Sequence, residues 1–363
     1  IPVGKGTRGR GQNERGSGPV AAVEHTSGDE AVLPLGASSS VGSLPHLDRE
    51  EAVAFVLRHA PLLPAAPTVP RLEPLEQMIP QGAWGIAGVR VDPDGTISVP
   101  DPALVDPEAP LGDPGLDDVP FTTWRLFLDR VADRTTPVKL QLTGPLTLGL
   151  TLVQAGLAPS LAFDVAVRAV RQRAGHLLDR ADEVAPAARR VVVFDEPGLV
   201  GGLRPELELS PDGVIDLLSG ALAAVEGRAL SGVHCCGPTD WRLVLQAGPD
   251  VVSLPVGAGV TPYAATLSGF LERGGWVAWG AVATNEPLGE HPSRSWRQLS
   301  SQWCELVQNG CDPVLLRRQA LVTPACGLAL HDIAQAEHVF HVAAHLAEKI
   351  HDQVMGIRLS VGA

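Results

Sequence analysis

Lysine is nearly absent from this chain, occurring only at Lys5, Lys139 and Lys349. Arginine therefore carries most of the positive charge, and 28 Lys plus Arg against 41 Asp plus Glu leave a formal net charge of −13. Phosphate recognition needs cations that neutralise the backbone, so this balance excludes a general nucleic-acid binder. Long apolar runs are also missing. Gly, Pro or a charge interrupts each one well before the roughly 20 residues that a bilayer span requires, and no membrane partner is expected. The chain opens on polar, Gly- and Arg-rich residues where a secretory signal would need an apolar stretch, so cytoplasm is the expected compartment. Cysteine is too sparse for a disulfide scaffold: five in 363 residues, an odd number, leave free thiols, metal ligands or catalytic groups.

Apolar residues, by contrast, are plentiful. With 45% hydrophobic and 19% charged residues the chain can fill a large core. Residues 1–30 stand apart, rich in Gly, Arg, Ser and Glu without apolar periodicity, and this composition predicts a disordered tail. Lys5, Arg8, Arg10 and Arg15 then sit on a solvated segment. From residue 31 to 363, short β-rich runs alternate with long amphipathic stretches, the pattern of repeated βα units on a parallel sheet. Candidate strands are Ser38–Val41, Ala66–Val69, Val138–Leu142, Arg190–Phe194, Leu230–His234, Val251–Leu254, Trp276–Trp279 and Ala320–Val322. Helical spacing marks Arg49–His59, Leu161–Asp182, Pro211–Val225, Pro262–Arg273, Ser293–Gln308 and Ile333–Ile350. Between Val89 and Val99, Asp-Pro-Asp-Gly reads as an excursion hairpin. Eight strands with intervening helices predict an α/β fold of the (β/α)8 TIM-barrel type, a single domain. No Gly-rich phosphate fingerprint follows the first strand to support a dinucleotide fold.

The chemistry gathers where predicted strands end. In Gly232-Val-His-Cys-Cys-Gly-Pro238, His234 and Cys236 lie two residues apart, so an extended backbone projects both to one side. Cys326 follows the last predicted strand, and in a barrel the C-terminal strand ends ring one mouth, where active sites of this architecture sit. Two thiolates and an imidazole suit zinc and leave a fourth position for substrate. From spacing alone, small buried strand residues are the competing reading of these cysteines. Cys235 points away if Cys236 points in, and Cys304 and Cys311, on or just after an amphipathic helix, are expected to pack. The run Val191-Val-Val-Phe ends in Asp195-Glu-Pro197, two carboxylates suited to an amino group, to proton transfer or to capping a helix. Ser43 and Thr143 also follow strands, where they offer hydroxyls or serve turns.

Five segments in this order, Val41-Gly-Ser43, Leu142-Thr-Gly-Pro145, Asp195-Glu-Pro197, His234-Cys-Cys236 and Thr323-Pro-Ala-Cys-Gly-Leu328, resemble the C-terminal catalytic barrel of cobalamin-independent methionine synthase. That barrel lies within the uroporphyrinogen decarboxylase-like superfamily, and the resemblance spans about Leu35 to the C-terminus. It implies a zinc-dependent methyltransferase that methylates the thiol of homocysteine. Zn2+ would be held by His234, Cys236 and Cys326, the substrate ammonium by Asp195 and its carboxylate by Ser43. A second carboxylate for the ammonium is implied after the second strand, at Glu73 or Glu76. The chain departs from the family in two respects. Pro255 stands where relatives supply a glutamate ligand, which leaves the fourth ligand open. One barrel is present where full-length synthases carry two, which leaves the methyl donor open between methyltetrahydrofolate and a methylcorrinoid. The alternatives are a metal-free uroporphyrinogen decarboxylase-like enzyme and a non-catalytic zinc-binding barrel.

Overall fold

Asp92-Pro-Asp-Gly95 turns the chain between two short antiparallel strands, β1 (Arg90–Val91) and β2 (Ile97–Ser98), as expected of the excursion hairpin. Gly95 takes the left-handed backbone, φ +86°, that this turn requires and a side chain would resist. A computed structural model describes residues 33–202, 209–285 and 292–356, so the expected tail 1–30 lies outside the described residues.

Six of the expected strands form one parallel sheet in sequential order: β3 (Val138–Thr143), β4 (Arg190–Asp195), β5 (Leu230–His234), β6 (Val251–Pro255), β7 (Trp276–Val282) and β8 (Ala320–Pro324). Most of their residues are buried on both faces, as a parallel sheet covered by helices demands. The other two expected strands, Ser38–Val41 and Ala66–Val69, are not regular strands. They pair through isolated parallel bridges, Ser38 with Val322, Ser43 with Thr68 and Ala65 with Lys139. Backbone bonds accompany them, Ser39 N to Val322 O at 2.9 Å, Leu44 N to Thr68 O at 2.9 Å and Ala66 N to Lys139 O at 2.9 Å. The reason is local. Pro64, Pro67 and Pro70 cannot donate to a ladder, and Gly42 breaks the extended backbone with φ +147°.

Several helices begin at a capping side chain. Asp48 accepts from Glu51 N at 2.9 Å to open Arg49–His59, and Asp332 with Gln335 forms a capping box for Ile333–Val354. Ser293–Gln308 also keeps its expected bounds. Pro145–Gln154 was not legible as a helix because it is apolar and buried on nearly every side, which erases the periodic signal. Two apolar clusters result. The larger fills the space between sheet and helices, and a smaller one, including Val191, Val193, Val251, Trp276 and Leu321, packs on the sheet's other face. Among the described residues no helix is long and apolar enough to cross a membrane.

Candidate functional site

Register builds the site. Thr143 pairs with Asp195, Asp195 with His234, and His234 with Ser253, so four polar residues stand side by side across β3 to β6. They share the face that carries Val191, Val193 and Val251 one or two residue pairs earlier, which places the polar row directly beyond the small apolar cluster. A cavity of about 400 Å³ opens there, lined by Ser43, Arg71, Asp195, His234, Cys236 and Cys326 among others. The structure thus gathers five of the seven expected site residues.

His234 is buried and its ring is oriented by Ser253, whose Oγ lies 2.9 Å from Nδ1. Its Nε2 is also buried and has no partner, the arrangement of an imidazole prepared to ligate. Cys326, on the exposed loop after β8, interacts with both Cys236 and His234. The proximity of Cys236, followed by that of His234, holds the Cys326 thiol below its ordinary range. Cys236 is held above its own by the same proximity and by burial. Two sulfurs and one imidazole fit a borderline-soft cation such as zinc. The trio is loose: among the described residues, the group of three ligand atoms all within 4.8 Å of one another is His59, Glu337 and His341, away from this cavity. Cys235 is fully buried in the core and donates to Gly237 O at 3.5 Å, so it does point away.

Asp195 and Glu196 follow one another and point to opposite sides, and this separates their duties. Glu196 is sealed against the start of Pro145–Gln154, where it accepts from Leu146 N at 2.9 Å, Thr147 N at 2.7 Å and Thr147 Oγ1 at 2.5 Å. Burial outweighs those bonds and raises its pKa to about 7. The capping role that the sequence allowed for this pair therefore belongs to Glu196. Asp195 faces the cavity, and its buried Oδ1 has no partner. Burial raises its pKa, with Lys139 and His234 opposing. Lys139 was missed by motif reading, although one lysine inside an apolar strand is itself a signal. Its Nζ donates to Val41 O at 2.7 Å and Gln141 Oε1 at 3.3 Å, and burial lowers its pKa to about 8 against the pull of Asp195.

The remaining expected residues divide. Ser43 lines the cavity, and its carbonyl accepts from Leu328 N at 2.8 Å, which ties the Cys326 loop to the segment that Ser38 bridges to β8. Glu73 and Glu76 are not brought to the cavity. Glu73 accepts from Leu75 N at 3.2 Å to cap a short 3-10 turn. Glu76 is fully buried, bonded to Arg49 Nε at 3.0 Å, Thr123 Oγ1 at 2.9 Å and Val69 N at 3.1 Å. Cys311 packs as expected, but Cys304 is exposed on its helix. Pro255 closes β6 and lines a second cavity of about 820 Å³ that meets the first at Cys236 and Cys326. Gly280 lets these parts approach. A Cβ there would stand 2.9 Å from Ala325 Cα and 3.0 Å from Pro255 Cα, backbone atoms that cannot step aside.

No family model and no curated protein sequence matches the chain. Solved structures do. One is a methyltransferase from Methanosarcina mazei, 14% identical, matched over 89% of this chain and 95% of that one with a TM-score of 0.53. Another is a protein described as a vitamin-B12-independent methionine synthase from Listeria monocytogenes, 12% identical over 84% of this chain and 86% of that one, also with a TM-score of 0.53. At such identities the likeness shows the fold alone: this chain shares its parallel α/β architecture with a methyltransferase and with a protein described as a methionine synthase.

Proposed function

We propose that this protein is a zinc-dependent thiol methyltransferase, with homocysteine as acceptor, built on a closed (β/α)8 barrel preceded by a solvated tail. Closure of the barrel is supported by the two bridged segments, each bonded to an edge of the six-stranded sheet and to one another. One observation carries the reading. His234 Nε2 and Asp195 Oδ1 are both buried without partners, in a cavity whose wall also holds the interacting thiols of Cys236 and Cys326.

An alkyl thiol has a pKa near 8.5 and is mostly protonated, hence a weak methyl acceptor, at neutral pH. Zinc held by His234, Cys236 and Cys326 would supply the charge that removes this proton and positions the sulfur. The chain's own residues do the rest. Ser253 fixes the His234 ring, and Asp195 receives the substrate ammonium with its free oxygen. Ser43 and Arg71, which line the same cavity, meet the substrate carboxylate. Cys326, exposed on its loop, would supply the third ligand. Sulfur then forms a bond to the methyl carbon as the donor leaves with its electron pair.

The second cavity offers the donor a place, because it reaches the same two cysteines from another direction. Its described lining contains Glu305 and His331 but neither Lys nor Arg. A polyanionic folate tail finds no cation there, which favours a methylcorrinoid of the two donors. A uroporphyrinogen decarboxylase-like reading fits less well, since Arg71 is the lone Lys or Arg among the described residues of the first cavity, and an acidic porphyrinogen needs several. The test is a methyl-transfer assay with homocysteine against methyltetrahydrofolate and, separately, a methylcorrinoid, beside a metal analysis. Stoichiometric zinc with methionine formed from either donor supports the reading. Zinc without turnover leaves a binding barrel, and turnover without zinc removes the metal.

A further inference from the structure

We propose that His59, Glu337 and His341 form a second metal site, for a divalent transition ion, that clasps the helix Arg49–His59 to the helix Ile333–Val354. The three ligand atoms lie within 4.8 Å of one another, with His59 Nε2 3.9 Å from Glu337 Oε1. Glu337 and His341 are one turn apart on one helix, so they project from the same face toward the end of the other. None of the three lines either cavity at the strand ends.

His59 is held for the purpose. Its ring packs against Phe55 at 4.4 Å and Phe340 at 6.1 Å between centroids, and its side chain is 9% exposed. The His341 ring stands 5.3 Å from it, nearly perpendicular. Burial, then the neighbouring His341, lowers the His59 pKa, and Arg58 adds to the effect against Glu337. The imidazole stands beside a second imidazole and a carboxylate. Two nitrogens and one oxygen suit Zn2+, Co2+, Ni2+ or Cu2+ and are poor for Ca2+ or Mg2+, which take oxygen shells. The ion would join the first long helix of the described chain to its last, a junction otherwise made by side-chain packing. Binding to the folded state alone raises stability by mass action.

The experiment uses the full chain, stripped of metal and titrated with Co2+. Thiolate ligands to cobalt produce an intense near-ultraviolet charge-transfer band, whereas imidazole and carboxylate produce none, so the two sites report separately. We expect one equivalent with the thiolate band and a second without it, the second raising Tm by roughly 5 °C at saturation. His341→Ala, at an exposed position, should abolish the second equivalent and its Tm shift while leaving the thiolate band intact. His345→Ala, one turn further on, should leave both. Absence of a sulfur-free equivalent in the wild type would overturn the proposal, as would its survival in His341→Ala or its loss in His345→Ala. Loss of the thiolate band alone would count against the site at the strand ends and not against this one.

Discussion

His234 and Ser253 are partners twice: they face each other in the register of β5 and β6, and Ser253 Oγ lies 2.9 Å from His234 Nδ1. Such a bond fixes which nitrogen is free to ligate and which way it points. Ser253→Ala should therefore weaken zinc binding by roughly 10- to 100-fold with little change in fold. Competition with a chromophoric chelator measures this, and unchanged affinity would remove the orienting role.

Cys326 reaches both other proposed ligands from the end of a distant strand, and a serine hydroxyl is a poor replacement for a thiolate toward zinc. Cys326→Ser should reduce zinc content from about one per chain to a small fraction, read by elemental analysis after dialysis. Full occupancy in the variant would place the metal elsewhere.

Asp195 keeps an unpartnered buried oxygen toward the cavity and lies outside the proposed metal shell. A hydrogen bond to a charged group contributes about 1.5–3 kcal/mol, so Asp195→Asn should lower kcat/KM for homocysteine by roughly 10- to 100-fold with zinc retained. Equal kcat/KM in the two proteins would argue that the ammonium is bound elsewhere.

Glu196 predicts a pH dependence of stability. Its folded pKa, raised by burial to about 7, lies above the ordinary 4.5, so the folded state holds a proton that the unfolded state releases between those values. The stabilisation is full below about pH 4.5 and is lost as pH rises through 7, by a few kcal/mol at most. Glu196→Gln cannot titrate, so chemical denaturation should show the wild type losing stability relative to the variant across that window. A constant difference from pH 4.5 to 7 would show that the carboxylate stays ionised.

Local features made part of the fold legible. Asp48 and the Glu-rich turn after it announce Arg49–His59, and periodic apolar residues delimit Ser293–Gln308. The same reading overextended at Ser38–Val41 and Ala66–Val69, where apolar and β-branched residues suggested strands but Gly42, Pro67 and Pro70 reduce the pairing to single bridges. Glu76 follows the second expected strand, where the resemblance implies a carboxylate for the substrate, but it turns inward to Arg49 and Thr123. Position along the chain does not say which way a side chain leaves a loop.

The sequence by itself determined the βα alternation, the strand ends at Asp195 and His234, and the small set of thiol, imidazole and carboxylate groups available for chemistry. All of these depend on the identity and spacing of near neighbours. Only the tertiary structure decided that Thr143, Asp195, His234 and Ser253 stand in one row, because strand register is set by packing and backbone pairing between segments distant in sequence. It also decided that Asp195 faces the cavity while Glu196 caps a helix, since the alternation of a strand fixes that the two diverge but not which side becomes the interior. The meeting of His59 with Glu337 and His341 is of the same kind: it exists only where the last helix of the described chain packs beside the first.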